Sequence, residues 1–320
     1  MQLDSPFIQL PVRFDADVLA AEIDALGETP WRPHPNGLPG NSALPLVSAE
    51  GEPTREATWG PMRSTPYLEK CPYLYQVMAC LGAVVGRTRL MRLSGHAEVS
   101  AHVDVAYYWR QRMRVHVPIR TQPTVRFYCG SDEVNMAAGE CWIFDTWRRH
   151  RVVNDAVQSR THLVLDTVGG AGFFNLLAQS RRFDEPTTGW STRHVAPDAS
   201  ATKTMAFESV NVPVVMTPWE MREHLGFILG CALPHPQLAQ ANALCAQLIH
   251  QWQALWAEYG ESVEGVPAYR AAMTAFEQRL SACATQIPLR NDSGLFHCIK
   301  ALVCQVALDE RMRSTQLHAV

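Results

Sequence analysis

Met113, Val115, Val117 and Ile119 alternate with Arg114, His116, Pro118 and Arg120. Successive side chains of a strand point to opposite faces, so this period of two predicts a strand with one apolar and one polar face. Strand-like runs punctuated by Gly and Asp fill residues 88–166, which predicts a sheet in the middle of the chain. Within that block, Gly139-Glu140 precedes the run 141–145, and the run 160–166 follows the turn-prone Asn154-Asp155. These two runs are expected to pair as an antiparallel hairpin.

Helical periodicity takes over on both sides. Val18, Leu19, Ile23 and Leu26 are spaced for a helix over 15–26 that Asp15 can cap, and apolar residues return at helical spacing over 71–86. Residues 31–65 are rich in Pro, Gly, Asn and Ser and read as irregular loop. The small and polar residues of 39–43 and 60–65 suit a lid, although structural loops are the simpler expectation. After a loop-rich passage, helices are predicted over 219–233, 237–259, 269–283 and 295–312, with Pro234, Pro236, Pro267 and Pro288 at their boundaries. At 320 residues the chain is long enough for two units. Residues 1–200 are expected to form the sheet domain and 215–320 a C-terminal helical domain.

Composition excludes several roles. The balance of 28 basic and 31 acidic residues, a formal charge of -3, does not fit a protein that binds nucleic acid by neutralising phosphates. No run of eighteen apolar residues offers a membrane span, and the first residues lack the basic and apolar regions of a signal peptide. Nine cysteines, an odd number with no CxxC pair, fit neither a disulfide framework nor a structural zinc site, so a reducing cytoplasmic location is expected.

Three residues carry a metal-binding pattern. His102-Val-Asp104 places two metal-competent side chains two positions apart, on one face of an extended strand. His150 follows Asp104 by 46 residues, just after an apolar run. Two imidazoles and one carboxylate on one face of an octahedron leave positions open, the arrangement of non-haem iron(II) oxygenases. A lone histidine on a strand is more often structural, so the set needs support from elsewhere. Arg160, ten residues past His150, supplies a guanidinium suited to bidentate pairing with the distal carboxylate of 2-oxoglutarate. Arg114 and His116 offer further donors, or else belong to a satisfied polar network.

Taken together, His102-x-Asp104, Arg114-x-His116-x-Pro118, Gly139-Glu140, Ile143-Phe144-Asp145, His150, Asn154 and Arg160 resemble the aspartyl/asparaginyl β-hydroxylase family of Fe(II)/2-oxoglutarate dioxygenases over about residues 85–170. With a helical addition at the C-terminus, the pattern is also similar to bacterial proline hydroxylases. The resemblance implies a mainly β fold, a double-stranded β-helix of jelly-roll or cupin-like type, with helices outside it. It implies Fe(II) on His102, Asp104 and His150, 2-oxoglutarate on Arg160 with Arg114 and His116 nearby, and O₂ as the second cosubstrate. Asp104 places the chain with the bacterial branch, since the animal enzyme of the family lacks the carboxylate ligand. Where that enzyme has a small polar cosubstrate contact, this chain has Met91.

The function so implied is hydroxylation of an amino-acid side chain in a peptide or protein. A free amino acid of proline type is the alternative substrate, and a non-catalytic metal-binding jelly roll serving as a sensor or assembly module is the rival outside catalysis. Tyr107, Trp109 and Arg110, in the aromatic segment after Asp104, are the candidate substrate residues, with packing of the barrel rim as the competing role. Arg92 joins them. An inward-pointing Arg92 or Arg148 would indicate a carboxylate-bearing substrate, whereas Arg149 and Arg151 are expected to face solvent. The partner is expected to be a small molecule or peptide, with neither nucleic acid nor membrane, and the helical domain offers a homodimer interface.

Overall fold

The structure, a computed structural model, describes residues 2–34, 37–200 and 204–309. The chain divides into two compact units. One comprises the chain up to His102 together with Gln111–Asn211; the other comprises Val103–Arg110 with the chain from Val212 onward.

The first unit is built on a sandwich of two largely antiparallel sheets, with a small parallel pair of Val12–Phe14 and Arg193–Val195 beside them. Along the larger sheet the main order is Arg181–Arg182, Phe7–Gln9, Trp142–Phe144, Met113–Arg120, Arg160–Thr167, Val84–Leu93, Asn41–Ala49 and Arg32–Pro33, with Met62–Ser64 beside Asn41–Ala49. The smaller sheet runs Asp132–Val134, Val125–Cys129, His150–Asn154 and Glu98–His102. Phe7, Leu93, Trp142 and Phe144 of the large sheet meet Val125, Phe127, Cys129 and Val152 of the small one in a buried cluster. This is the expected double-stranded β-helix, with a helical C-terminal unit.

Local chemistry explains several elements. Asp15 caps the helix Ala16–Leu26 by accepting from the Val18 amide at 3.2 Å. Leu19 and Ile23 are its buried residues, and the helix packs on the Met113–Arg120 strand. The helix predicted over 71–86 stops at Cys80. Gly82 then turns at φ +61°, where a Cβ would come within 2.8 Å of Gly172, and the strand Val84–Leu93 begins. Gly139 allows a comparable approach: a Cβ there would lie 2.2 Å from the Phe14 carbonyl, and its backbone bonds both Phe14 and Pro118.

Two expectations are corrected. The passage 31–65 is not simply loop, because Asn41–Ala49 lies inside the large sheet and pairs with Val84–Leu93, while Met62–Ser64 also forms a strand. The candidate lid residues 41–43 and 62–64 are therefore strand residues. Nor do the runs around 142–144 and 160–167 form a hairpin. Both pair with Met113–Arg120, which lies between them, and the chain crosses to the small sheet in the interval. Asn154 fixes that crossing by donating its amide hydrogens to the carbonyls of Leu93, Ser94 and Gln158 at 3.2, 3.0 and 2.9 Å.

In the second unit the longer helices are Pro218–Gly230, Leu238–Tyr259 and Val266–Ala284, with short ones at Tyr107–Arg110 and Leu295–Ile299, the last continuing as a π-helical turn over Lys300–Cys304. Thr217 caps the first, accepting from the Glu220 amide at 3.1 Å. Trp252 packs against Tyr269 with ring centroids 4.6 Å apart and donates its indole N–H to the Met216 carbonyl at 2.7 Å. The helix expected over 295–312 ends at Cys304, and the residues from 310 lie outside the described residues. Among the described residues no helix is long and apolar enough to cross a membrane.

Candidate metal centre

His102 closes the strand Glu98–His102 and His150 opens the neighbouring strand, so register places them directly opposite, with ring centroids 4.3 Å apart. Asp104 lies just past the strand end. One ligand atom from each of His102, Asp104 and His150 falls within 4.8 Å of the other two. Both imidazoles are also oriented from behind. His102 Nδ1 lies 2.8 Å from the Ser100 carbonyl and His150 Nδ1 lies 2.9 Å from the Arg148 carbonyl. A carbonyl can only accept, so each Nδ1 carries the proton, the tautomer in which Nε2 can ligate a cation.

A line of buried rings runs inward from this group. Phe144 lies 5.0 Å from His150 and 5.1 Å from His116, and His116 lies 5.8 Å from His162. His162 stacks on Phe127 at 5.3 Å and 19°, and the Arg160 guanidinium carbon sits 4.9 Å over the same ring. Both ring nitrogens of His116, both of His162 and Nε of Arg160 are buried without a hydrogen-bond partner among the described residues. Burial holds both histidines well below the usual imidazole range, reinforced for His116 by Arg160, Arg114 and His150 and for His162 by Arg160 and His116. Burial also lowers Arg160 to about 9.

Three adjacent strands of the large sheet each carry a basic pair two residues apart: Arg87 and Arg89, Arg114 and His116, Arg160 and His162. Arg114 donates to Asp166 at 2.9 Å, and Arg89 approaches Glu56 at 4.0 Å. Arg89 is lowered to about 9 by burial and by the charges of Arg87 and Arg114. His34 is lowered to about 4 by burial, then by Arg89 and Arg87. Sequence reasoning missed His34, Arg87, Arg89 and His162. The repeated basic-x-basic pair was the available signal for the last three.

The candidate substrate residues have partners of their own. Tyr107 donates to Glu220 at 2.6 Å, with its ring 5.4 Å from His224. Arg110 lies 3.7 Å over the Phe227 ring, and Trp109 packs edge-on to Tyr108 at 5.6 Å. All belong to the second unit. Arg92 makes a bidentate pair with Glu28 at 2.8 Å and stacks on Trp31, while Arg148, 41% exposed, pairs with Asp145. Arg149 and Arg151 are exposed, as alternation predicts. Arg92 and Arg148 thus each pair with a carboxylate of the chain.

Residues 56–169 match the profile of the Aspartyl/Asparaginyl beta-hydroxylase family. That span, about a third of the chain, is similar to the family. L-proline cis-3-hydroxylase 1 of Streptomyces sp is 27% identical over 179 residues, covering 51% of this chain and 60% of that protein, so the chain spans less than two thirds of its relative. Two solved structures are also similar. One is a 2OG-Fe(II) oxygenase family oxidoreductase from Burkholderia pseudomallei, with TM-score 0.39, 19% identity, and coverage of 52% of this chain and 87% of that one. The other is a Pseudomonas putida prolyl-4-hydroxylase, with TM-score 0.35, 14% identity, and coverage of 51% and 92%.

This hydroxylase family implies Fe(II), 2-oxoglutarate and O₂. The residues fit the first two: two oriented imidazoles and a carboxylate suit a ferrous ion, and unpartnered buried donors around Arg160 suit a dicarboxylate.

Proposed function

We propose that the chain is an Fe(II)/2-oxoglutarate-dependent dioxygenase that hydroxylates an amino-acid side chain. The observation that carries this reading is the grouping of His102, Asp104 and His150 at one end of a buried row of donors that leads to Arg160. Loaded with Fe(II), 2-oxoglutarate and O₂, such a site oxidises the keto acid to succinate and carbon dioxide and delivers one oxygen atom to a substrate C–H bond. In this reading His102, Asp104 and His150 hold the metal. Arg160 anchors the distal carboxylate, with Arg114 and His116 near the keto-acid end. The surrounding Phe127, Phe144 and Trp142 exclude water, which strengthens each charge-assisted contact. No side chain is required as general base, so the protein's work is positioning and desolvation.

For the substrate, the interior charges favour a free amino acid over a peptide. A free α-carboxylate would suit this cluster, in which the charges of Arg87 and Arg114 bear on the buried Arg89. The name of the Streptomyces relative agrees with that choice.

Anaerobic addition of Fe(II) and 2-oxoglutarate should produce the weak visible charge-transfer band of a chelate, and His102→Ala should abolish it. Succinate release should then be screened across free amino acids and peptides. Turnover only with peptides would reverse the substrate assignment; no band and no succinate would leave a metal-binding jelly roll that senses or assembles.

A further inference from the structure

Resting on the function proposed above, we infer that His162 is a second anchor for the distal carboxylate of 2-oxoglutarate, giving it an N–H bond beside the Arg160 guanidinium.

His162 is completely buried, and neither ring nitrogen meets a donor or acceptor among the described residues. An imidazole left in that state costs stability, and an apolar side chain of similar shape would serve packing better. Directly opposite it in the neighbouring strands stand Met91 and Pro118, neither of which offers a side-chain hydrogen-bond donor. The flat stack on Phe127 fixes the plane of the ring, and the Arg160 guanidinium rests over the same phenyl group. Side chains two apart share a face, so both groups address one side of the large sheet. Burial and the nearby positive charge keep the imidazole neutral, with one N–H to give and no charge of its own to be matched. A guanidinium and a neutral N–H side by side are complementary to a carboxylate, whose oxygens accept from both. Met91 cannot fill this role, so the second donor comes from the strand that carries Arg160.

The test uses the full chain loaded anaerobically with Mn(II) in place of iron. Affinity is measured calorimetrically for 2-oxoglutarate and for 2-oxopentanoate, which lacks the distal carboxylate. His162→Leu should raise the melting temperature of the metal-free protein, because it removes two unsatisfied nitrogens. It should also weaken 2-oxoglutarate binding by roughly tenfold to a hundredfold, the range for a hydrogen bond to a charged group. Its affinity for 2-oxopentanoate should match wild type, and His162→Gln, which keeps an N–H, should recover most of the 2-oxoglutarate affinity. Unchanged 2-oxoglutarate affinity in His162→Leu, or equal loss for both keto acids, would overturn the assignment. If His162→Leu does not fold, His162→Phe and His162→Gln supply the same comparison. Wild-type protein that binds Mn(II) but no 2-oxoglutarate would instead overturn the underlying function, and this anchor with it.

Discussion

Arg112 and Glu208 form an ion pair sealed from water: each side chain is 2% exposed, and Nε and Nη2 each lie 2.9 Å from a carboxylate oxygen. The Glu208 backbone accepts from the Met62 amide at 2.7 Å and donates to the Val85 carbonyl at 3.0 Å, so the pair fastens the end of the first unit to the large sheet. Glu208→Ala removes a bidentate carboxylate from a buried guanidinium and should cost about 3–5 kcal/mol of stability in a denaturant titration. Replacing both residues with Met and Leu should recover most of that loss.

Acid should destabilise the metal-free protein at an unusually mild pH. The folded values of His116 and His162 are depressed below the ordinary 6.5. Below that value the unfolded chain takes up protons that the folded one refuses, so the stability these groups contribute is present above about pH 6.5 and is lost as pH falls. Melting temperature should drop between about pH 7 and 5, and the drop should be shallower in His162→Leu. Identical pH profiles would show that the ring does not titrate as its burial requires.

Asp104→Ala should weaken Mn(II) binding, followed by electron paramagnetic resonance, by more than the 10–100-fold typical of losing an outer-shell partner. His150 should still be held by its bond to the Arg148 carbonyl. An unchanged Mn(II) signal would remove the carboxylate from the ligand set.

Arg160→Lys keeps the charge but not the planar fork, and should raise the dissociation constant for 2-oxoglutarate by about tenfold or more, with Mn(II) affinity unaltered. Calorimetry on the Mn(II) form reads both. Wild-type affinity in the lysine variant would mean that the cosubstrate does not meet the fork.

The metal group was legible in the sequence because its logic is local: His102 and Asp104 are two residues apart, and His150 starts a strand that alternation already outlines. The cap at Asp15 was legible for the same reason. Asn41–Ala49 was not, since both faces are largely buried, Pro45 interrupts the run, and the polar Asn and Ser read as loop. His162 was hidden likewise, because all eight residues of Arg160–Thr167 are buried and no polar-apolar alternation marks which face it joins. The mistaken hairpin has a different cause. Strand order depends on the crossing that Asn154 secures through the distant carbonyls of Leu93 and Ser94, and pattern along the chain cannot report such pairing.

Val103–Arg110, the stretch that carries Asp104, packs as part of the helical unit through Tyr107 on Glu220 and Arg110 on Phe227. The boundary between the units therefore crosses the chain three times, and no single cut separates them. Ending the chain at residue 211 would strip an octapeptide of its neighbours, so a shortened protein should bring aggregation or local unfolding at that segment. Grafting the β-sandwich into another protein would have to bring the helices along or redesign those eight residues.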